Sequence, residues 1–204
     1  LGERESCTGD TARRAGREDL YQEMAKANIE TLNEAAPKRI VTTCPHCMQN
    51  LANDYQQFGG HYEVIHHTQL IDELITQGRL PESARKKQRS NVTFHDPCYL
   101  GRQNGVTAEP RSALSYVELN VVEMARNREN SLCCGAGGAQ FWKEEEPGEK
   151  AVSVERFEEA ASTGAETLAV GCPFCMQMFE SAKSSSGGKG PVVKDVVELI
   201  AEGM

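Results

Sequence analysis

Residues 167–177 read TLAVGCPFCMQ, and their pattern sets the expected architecture of the chain. The run from Thr167 to Val170 is β-branched and apolar, and it leads directly into a Cys-X-X-Cys (CxxC) turn formed by Cys172 and Cys175. An apolar run of this length that ends at Gly and Pro is typical of a short strand. The stretch therefore predicts a strand that delivers two thiols to the loop at its end.

A second copy of this pattern lies earlier in the chain, where residues 39–49 read RIVTTCPHCMQ. A Cys-Thr-Gly motif at 7–9 precedes the first copy, and a Cys-Cys-Gly motif at 133–135 precedes the second at nearly the same distance. Self-similarity over such a length indicates an internal repeat. The chain is therefore predicted to consist of two related halves.

Each half alternates helical and strand patterns, as α/β folds do. Helical patterns precede the CxxC turns, and a further strand and helix follow them, at 19–34, 62–66 and 69–74 in the first half and at 153–161, 191–194 and 196–201 in the second. We expect an α/β fold of two pseudo-repeated halves with small parallel sheets and the cysteine sites at the CxxC loops. The predicted organisation is a first repeat at 1–80, a linker at 81–90 and a second repeat at 91–204.

The two halves differ at their beginnings. Residues 91–98 are a predicted strand that ends in Cys98, whereas no residue before Cys7 supplies a counterpart. Thr8 also stands where the second half has the second cysteine of its adjacent pair. The first repeat is therefore expected to be incomplete, and the chain is expected to start inside a longer protein.

The composition limits the possible functions. The chain has 204 residues and a formal net charge of -8, which argues against a general binder of nucleic acid or anionic membranes. No stretch approaches the roughly 20 apolar residues of a membrane-spanning helix, and the start of the chain does not resemble a secretory signal. We expect a cytoplasmic location, where eight cysteines are more typical of a metal site than of disulfides.

The number and spacing of the cysteines bear on the kind of metal. The second half carries five, one more than a tetrahedral zinc ion can bind. The CxxC pairs of a zinc ribbon lie roughly 15–20 residues apart, whereas Cys47 and Cys172 belong to different halves. The adjacent thiolates Cys133 and Cys134 fit poorly on one small ion, but in a multi-iron cluster each can bind a different iron, and the glycine-rich turn at 135–138 lets the backbone approach it. The pattern favours an iron–sulfur cluster over zinc.

Several stretches resemble the cysteine-rich CCG domain found in heterodisulfide reductase. The chain is similar also to related membrane-associated iron–sulfur reductases, including those that take electrons from electron-transfer flavoprotein. The stretches that carry the resemblance are 7–16, 95–101, 128–138 and the two Cys-Pro-X-Cys turns.

The resemblance implies metal ligands in both halves. In the second half it implies one noncubane [4Fe–4S] cluster bound by Cys98, Cys133, Cys134, Cys172 and Cys175. In the first half, where the motif is incomplete, a second iron–sulfur cluster, zinc or no metal are the alternatives at Cys7, Cys44 and Cys47.

The resemblance further implies the iron–sulfur part of a larger oxidoreductase. Such a module relays electrons between a redox protein partner, of flavoprotein or ferredoxin type, and a downstream acceptor. The alternatives are catalytic reduction of a heterodisulfide or thiol at the cluster, and a zinc-binding interaction module. We expect no nucleic-acid partner, and membrane contact, at the cytoplasmic face, only through a part that lies outside this chain. No catalytic residue is identified.

Two polar and two aromatic residues near the cysteines each have two interpretations. His95 and Asp96 could hydrogen-bond a cluster sulfur or relay protons, or they could cap the turn before Cys98. Phe141 and Trp142 could shield a cluster from solvent or simply pack.

Overall fold

The structure is a computed structural model that describes residues 1–81, 90–144 and 147–203. Residues 82–89 of the predicted linker lie outside the described residues, so the division into repeats at 1–80 and 91–204 stays a prediction. None of the helices within the described ranges combines the length and the apolar character that a bilayer-spanning segment requires.

The first half alternates helices and short strands. Its elements are α1 (Asp10–Arg14), α2 (Glu18–Ala35), β1 (Ile40–Thr42), α3 (Pro45–Ala52), β2 (Val64–His66) and α4 (His67–Thr76). The predicted helix over 19–34 is present as α2, and its apolar face, which includes Tyr21 and Leu32, is buried. The two predicted strands are present but are each confined to three residues.

The second half repeats this order after additional elements at its start. Its elements are β3 (Asn91–Phe94), α5 (Glu109–Tyr116), β4 (Asn120–Val121), α6 (Val152–Ser162), β5 (Thr167–Val170), α7 (Pro173–Ser185), β6 (Val192–Asp195) and α8 (Val196–Gly203). The predicted strand over 91–98 ends at Phe94, and a π-helical turn follows at Tyr99–Gln103. Pro97 cannot continue the strand ladder because it has no backbone N–H.

Both sheets are small and parallel. β1 pairs with β2, with Ile40 opposite Val64, and the second sheet has the strand order β4-β3-β5-β6. Parallel neighbours need a crossover connection, which α3 supplies in the first sheet and α7 supplies between β5 and β6. The expected α/β fold with two pseudo-repeated halves is confirmed.

The repeated unit is strand, helix, strand, helix: β1-α3-β2-α4 in the first half and β5-α7-β6-α8 in the second. β5 has a neighbour on each side, whereas β1 pairs only with β2 among the described strands. Val41, in the middle of β1, is 43% exposed. This difference matches the sequence, in which the segment that forms β3 has no counterpart before Cys7.

The hydrophobic cores cross the boundary between the halves. Ile71 of α4 packs in one cluster with Phe94 of β3, Leu114 of α5 and Leu199 of α8. In the other direction, Leu100 of the π-helical turn packs in the core formed by α2 and α3. Because burial contributes about 25 cal/mol per Å² of apolar surface, each half is stabilised by side chains of the other.

Helix α5 was not indicated by the sequence. Its buried face includes Arg111, which is only 8% exposed and interrupts the apolar period of the helix. Arg111 is tolerated there because two carboxylates pair with it, Asp96 at 2.7 Å and Glu123 at 2.6 Å. The ion pairs that allow this helix come from residues that lie outside it, in the loops after β3 and β4.

Candidate metal centre

Each CxxC turn lies where a parallel strand gives way to a helix. Cys44 and Cys172 are the N-cap residues of α3 and α7, and a proline occupies the first turn of each helix. Proline is favoured there because the first N–H groups of a helix have no intrahelical acceptor. The helix N-terminus also carries partial positive charge, which favours thiolates nearby. Strand, proline and helix together hold each cysteine pair at the end of its sheet.

The other three cysteines of the second half come from two loops. Cys98 directly precedes the π-helical turn, and Cys133 and Cys134 lie in the loop after the short 3₁₀ helix Arg128–Asn130. Gly135 has a φ of 91°, a conformation that favours glycine, and its N–H donates to the Cys133 sulfur at 3.3 Å. The glycine turn therefore directs a backbone donor at a thiol.

The five thiols of the second half form one continuous group. The Cys175 thiol donates to the Cys134 sulfur at 3.2 Å. Cys175 also hydrogen-bonds Cys172, and Cys133 hydrogen-bonds both Cys134 and Cys98. Cys134, Cys172 and Cys175 are 4%, 1% and 3% exposed. The structure thus brings together the cysteines that the resemblance implies as one ligand set.

Crowding of these thiols controls their acidity. Hydrogen bonds from Cys134 and Cys98 lower the pKa of Cys133 far below its usual range. The same contacts raise the pKa of Cys98 and of Cys134, and the contact with Cys134 raises the pKa of Cys175. Adjacent thiolates repel, so the group cannot ionise fully without a cation. Because a coordinating thiol is deprotonated outright, this donor set fits a cationic group with several metal ions.

The first half adds a sixth thiol to this group. Cys44 is 8% exposed, and its hydrogen bond with Cys172 raises the pKa of Cys44 to about 12. Cys47 contacts Cys44 in turn, and the Thr8 hydroxyl donates to the Cys47 sulfur at 3.6 Å. The two halves therefore meet thiol to thiol, a contact that the spacing of the cysteines in the sequence did not indicate.

Cys7 is the exposed cysteine of the first half. Its sulfur accepts the N–H of Gly9 at 3.4 Å. Cys7 and Cys47 line a cleft of about 850 Å³ that runs along β1. The first-half cysteines thus face two ways, Cys44 toward the thiols of the second half and Cys7 toward this cleft.

A buried histidine ties the two CxxC turns together. The Nε2–H of His66 donates to the carbonyl oxygens of Gly171 at 3.0 Å and Thr43 at 3.3 Å, which directly precede the two turns. Its Nδ1 accepts the Thr68 hydroxyl at 2.8 Å. A Cβ on Gly171 would lie 3.2 Å from the ring, so this position needs glycine. Burial lowers the pKa of His66 to about 3 and keeps the ring neutral.

A second buried histidine lies against the second-half thiols. His95 is fully buried, and a ring nitrogen and the sulfurs of Cys134 and Cys175 all lie within 4.8 Å of one another. Arg156 donates its Nε–H to Nδ1 of His95 at 3.1 Å. Nε2 has no hydrogen-bond partner in the part of the chain that the structure describes. Burial holds the pKa of His95 well below its usual value.

Asp96 belongs to an ion-pair network. Its carboxylate accepts two hydrogen bonds from Arg111, at 2.7 and 2.9 Å, and one from the backbone N–H of Arg128 at 2.7 Å. The Ser131 hydroxyl donates to the Asp96 carbonyl oxygen at 2.9 Å. Asp96 therefore fixes the loop that leads to Cys133, which agrees with a structural role at the turn.

Phe141 and Trp142 differ in burial. Trp142 is 66% exposed, whereas Phe141 packs edge-on against Phe174 of the second CxxC turn, with 5.2 Å between ring centroids. With Pro173 and Gln177 these rings line a shallow cleft of about 280 Å³. Phe141 thus covers the CxxC turn, while Trp142 remains at the surface.

The comparison with protein families gives one match. A model for the CCG family, a cysteine-rich domain, matches residues 1–52 and 92–180. These two ranges contain all eight cysteines of the chain. The resemblance stated from the sequence is confirmed.

Three curated proteins illustrate the similarity. The chain is 40% identical to the probable iron-sulfur-binding oxidoreductase FadF of Bacillus subtilis, over 99% of this chain and 28% of that protein. It is 37% identical to the EtfAB:quinone oxidoreductase of Syntrophomonas wolfei, over 100% and 29%. It is 34% identical to one component of the dihydromethanophenazine:CoB--CoM heterodisulfide reductase of Methanosarcina barkeri, over 100% and 51%. The chain spans about half the length of these relatives or less.

Proposed function

The chain belongs to the CCG family of cysteine-rich domains, and we propose that it is the iron–sulfur electron-transfer module of a larger oxidoreductase. The observation that carries the proposal is the continuous, largely buried group of five thiols beside the glycine turn. Structural zinc sites use four ligands, and this group has one thiol too many for such a site. The name of FadF, an iron-sulfur-binding oxidoreductase, agrees with this assignment.

The proposed cofactor is one noncubane [4Fe–4S] cluster. Its proposed ligands are Cys98, Cys133, Cys134, Cys172 and Cys175. The adjacent pair supports a cluster because two neighbouring thiolates can bind different irons. When bound, the cluster supplies one-electron redox chemistry. The chain itself supplies the thiolates, the Gly135 N–H and the dry surroundings, and such hydrogen bonds and burial set the reduction potential.

The proposed role is relay of single electrons from a redox protein, of flavoprotein or ferredoxin type, to a downstream acceptor. One relative is named for its link to EtfAB and quinone, which supports a flavoprotein donor. The exposed Trp142 lies next to the second CxxC turn and supports docking close to the cluster. We further propose a cytoplasmic location without a nucleic-acid partner, with any membrane contact made by other parts of the larger protein.

The first half is proposed to lack a complete cluster site of its own within this chain. Thr8 replaces one cysteine of the motif and hydrogen-bonds Cys47. Cys44 faces Cys172 of the other half. A second cluster or zinc at Cys7, Cys44 and Cys47 would need a further ligand from another source.

The test is metal analysis of anaerobically purified and reconstituted protein. We expect about four irons and four sulfides per chain, as one [4Fe–4S] cluster requires. Cys134→Ser should lose most of this iron because it removes one of the five ligands. Cys7→Ser is the matched control and should keep it, since Cys7 lies outside the five-thiol group.

Three results would change the assignment. Stoichiometric zinc without iron would refute the iron–sulfur function. Equal loss of iron in Cys7→Ser and Cys134→Ser would refute the placement of the cluster in the second half. Turnover of a heterodisulfide by the loaded protein would indicate catalysis at the cluster instead of relay.

A further inference from the structure

The two ring nitrogens of His95 have different surroundings. Nδ1 accepts the Nε–H of Arg156 at 3.1 Å. Nε2 is buried and has no hydrogen-bond partner among the described residues. A buried donor left without an acceptor costs about 1–3 kcal/mol. The structure therefore lacks an acceptor that the ring needs.

Arg156 fixes which nitrogen carries the proton. A guanidinium group only donates hydrogen bonds, so Nδ1 of His95 must be unprotonated. The neutral ring then carries its proton on Nε2. Arg156 cannot easily turn away, because it also donates to the Arg126 carbonyl oxygen at 2.7 Å and to Glu159 at 2.8 Å, and it is fully buried.

Nε2–H is the polar group of the ring that is available to the thiol site. A ring nitrogen of His95 lies within 4.8 Å of the sulfurs of Cys134 and Cys175, and Nδ1 is already engaged. Direct ligation of iron by Nε2 would require the proton to move to Nδ1. Two N–H groups, from Arg156 and from the ring, would then face each other. The arrangement therefore favours donation to a sulfur over ligation of iron.

We propose that His95 is a positioning residue that donates its Nε2–H to a sulfur of the cluster centre, either a cysteine sulfur or an inorganic sulfide, in the tautomer fixed by Arg156. This inference rests on the proposed function, because the acceptor arrives with the cluster. A hydrogen bond to sulfur stabilises the more negative, reduced cluster. His95 therefore raises the reduction potential of the centre.

The test compares reconstituted wild-type protein with two variants of His95. His95→Phe fills the space without a donor, and it should shift the midpoint potential to a more negative value while iron content stays at the wild-type level. His95→Gln keeps an N–H group and should lie between the two. His61→Gln, at an exposed position, is the matched control and should have the wild-type potential.

A spectroscopic measurement separates a hydrogen bond from ligation. Pulsed electron–nuclear double resonance of the reduced cluster should show a proton coupling that disappears in heavy water and is absent from His95→Phe. Strong coupling to a ring nitrogen, or loss of iron in His95→Gln, would show that His95 is a ligand and overturn the proposal. An unchanged potential and an unchanged proton spectrum would overturn it as well. Failure of the wild type to bind iron would instead overturn the proposed function.

If His95→Phe does not fold, the comparison of His95→Gln with wild type still decides. The glutamine N–H is differently placed, so its exchangeable proton coupling should differ in size and the potential should be more negative. Identical spectra and potentials in these two proteins would refute the role of His95.

Discussion

Replacement of His66 by alanine should destabilise the protein by roughly 3–5 kcal/mol. The change removes the donor to the carbonyl oxygens of Gly171 and Thr43, which the Nε2–H reaches at 3.0 and 3.3 Å. A buried acceptor left unsatisfied costs about 1–3 kcal/mol, and removal of a fully buried ring adds about 2 kcal/mol through the cavity it leaves. The two CxxC turns should also lose their direct connection.

A second variant separates this bridge from the start of α4. His66 is the N-cap of α4, and its Nδ1 accepts the Thr68 N–H at 3.4 Å. Asparagine is a favourable N-cap residue, but its shorter side chain does not reach the two carbonyl oxygens. His66→Asn should therefore recover only about 1 kcal/mol of the loss.

The assay is chemical unfolding under anaerobic conditions, at matched iron content, followed by circular dichroism. Wild type, His66→Ala, His66→Asn and the exposed control His61→Ala are compared. The control should lie within about 0.5 kcal/mol of wild type. Alkylation of Cys44 and Cys172 should also be faster in His66→Ala. If His66→Ala is as stable as His61→Ala, the bridge does not hold the two turns together.

Three further predictions follow from buried charges and thiols. Because the pKa of His66 is lowered to about 3 by burial, the unfolded chain binds its proton first, so stability should fall as pH drops below about 6.5, and His66→Asn should show a shallower loss in pH-dependent unfolding. Arg111→Met leaves the carboxylate of Asp96 buried without its partner and should cost about 3–5 kcal/mol in a denaturation experiment; a cost below about 1 kcal/mol would contradict a structural role for the pair. In anaerobic alkylation followed by mass spectrometry, the exposed Cys7 should react before the buried Cys175, and equal rates would contradict the burial of the second-half thiols.

The sequence was sufficient for the local units of this fold. An apolar run, a CxxC turn with proline and a helical pattern are adjacent in the chain, so β1 with α3 and β5 with α7 could be predicted from short windows of residues. The repeat placed these units twice, and the parallel sheets followed from their alternation. The grouping of the five cysteines of the second half came from their number and from the resemblance to a family.

Contacts between distant residues could be found only in the tertiary structure. The helix α5 was missed because Arg111 breaks its apolar period, and the carboxylates that make this burial possible lie outside the helix. Cys44 gave no indication of its contact with Cys172, and His66 gave none of its bridge to Gly171.

The orientation of His95 likewise depends on Arg156 of α6, 61 residues further along the chain. Residue types, turns and caps are properties of neighbouring residues, and the sequence determined them by itself. Which thiol meets which, and which nitrogen of a histidine keeps its proton, depends on groups brought together by packing of the cores. For that reason only the folded chain decided them.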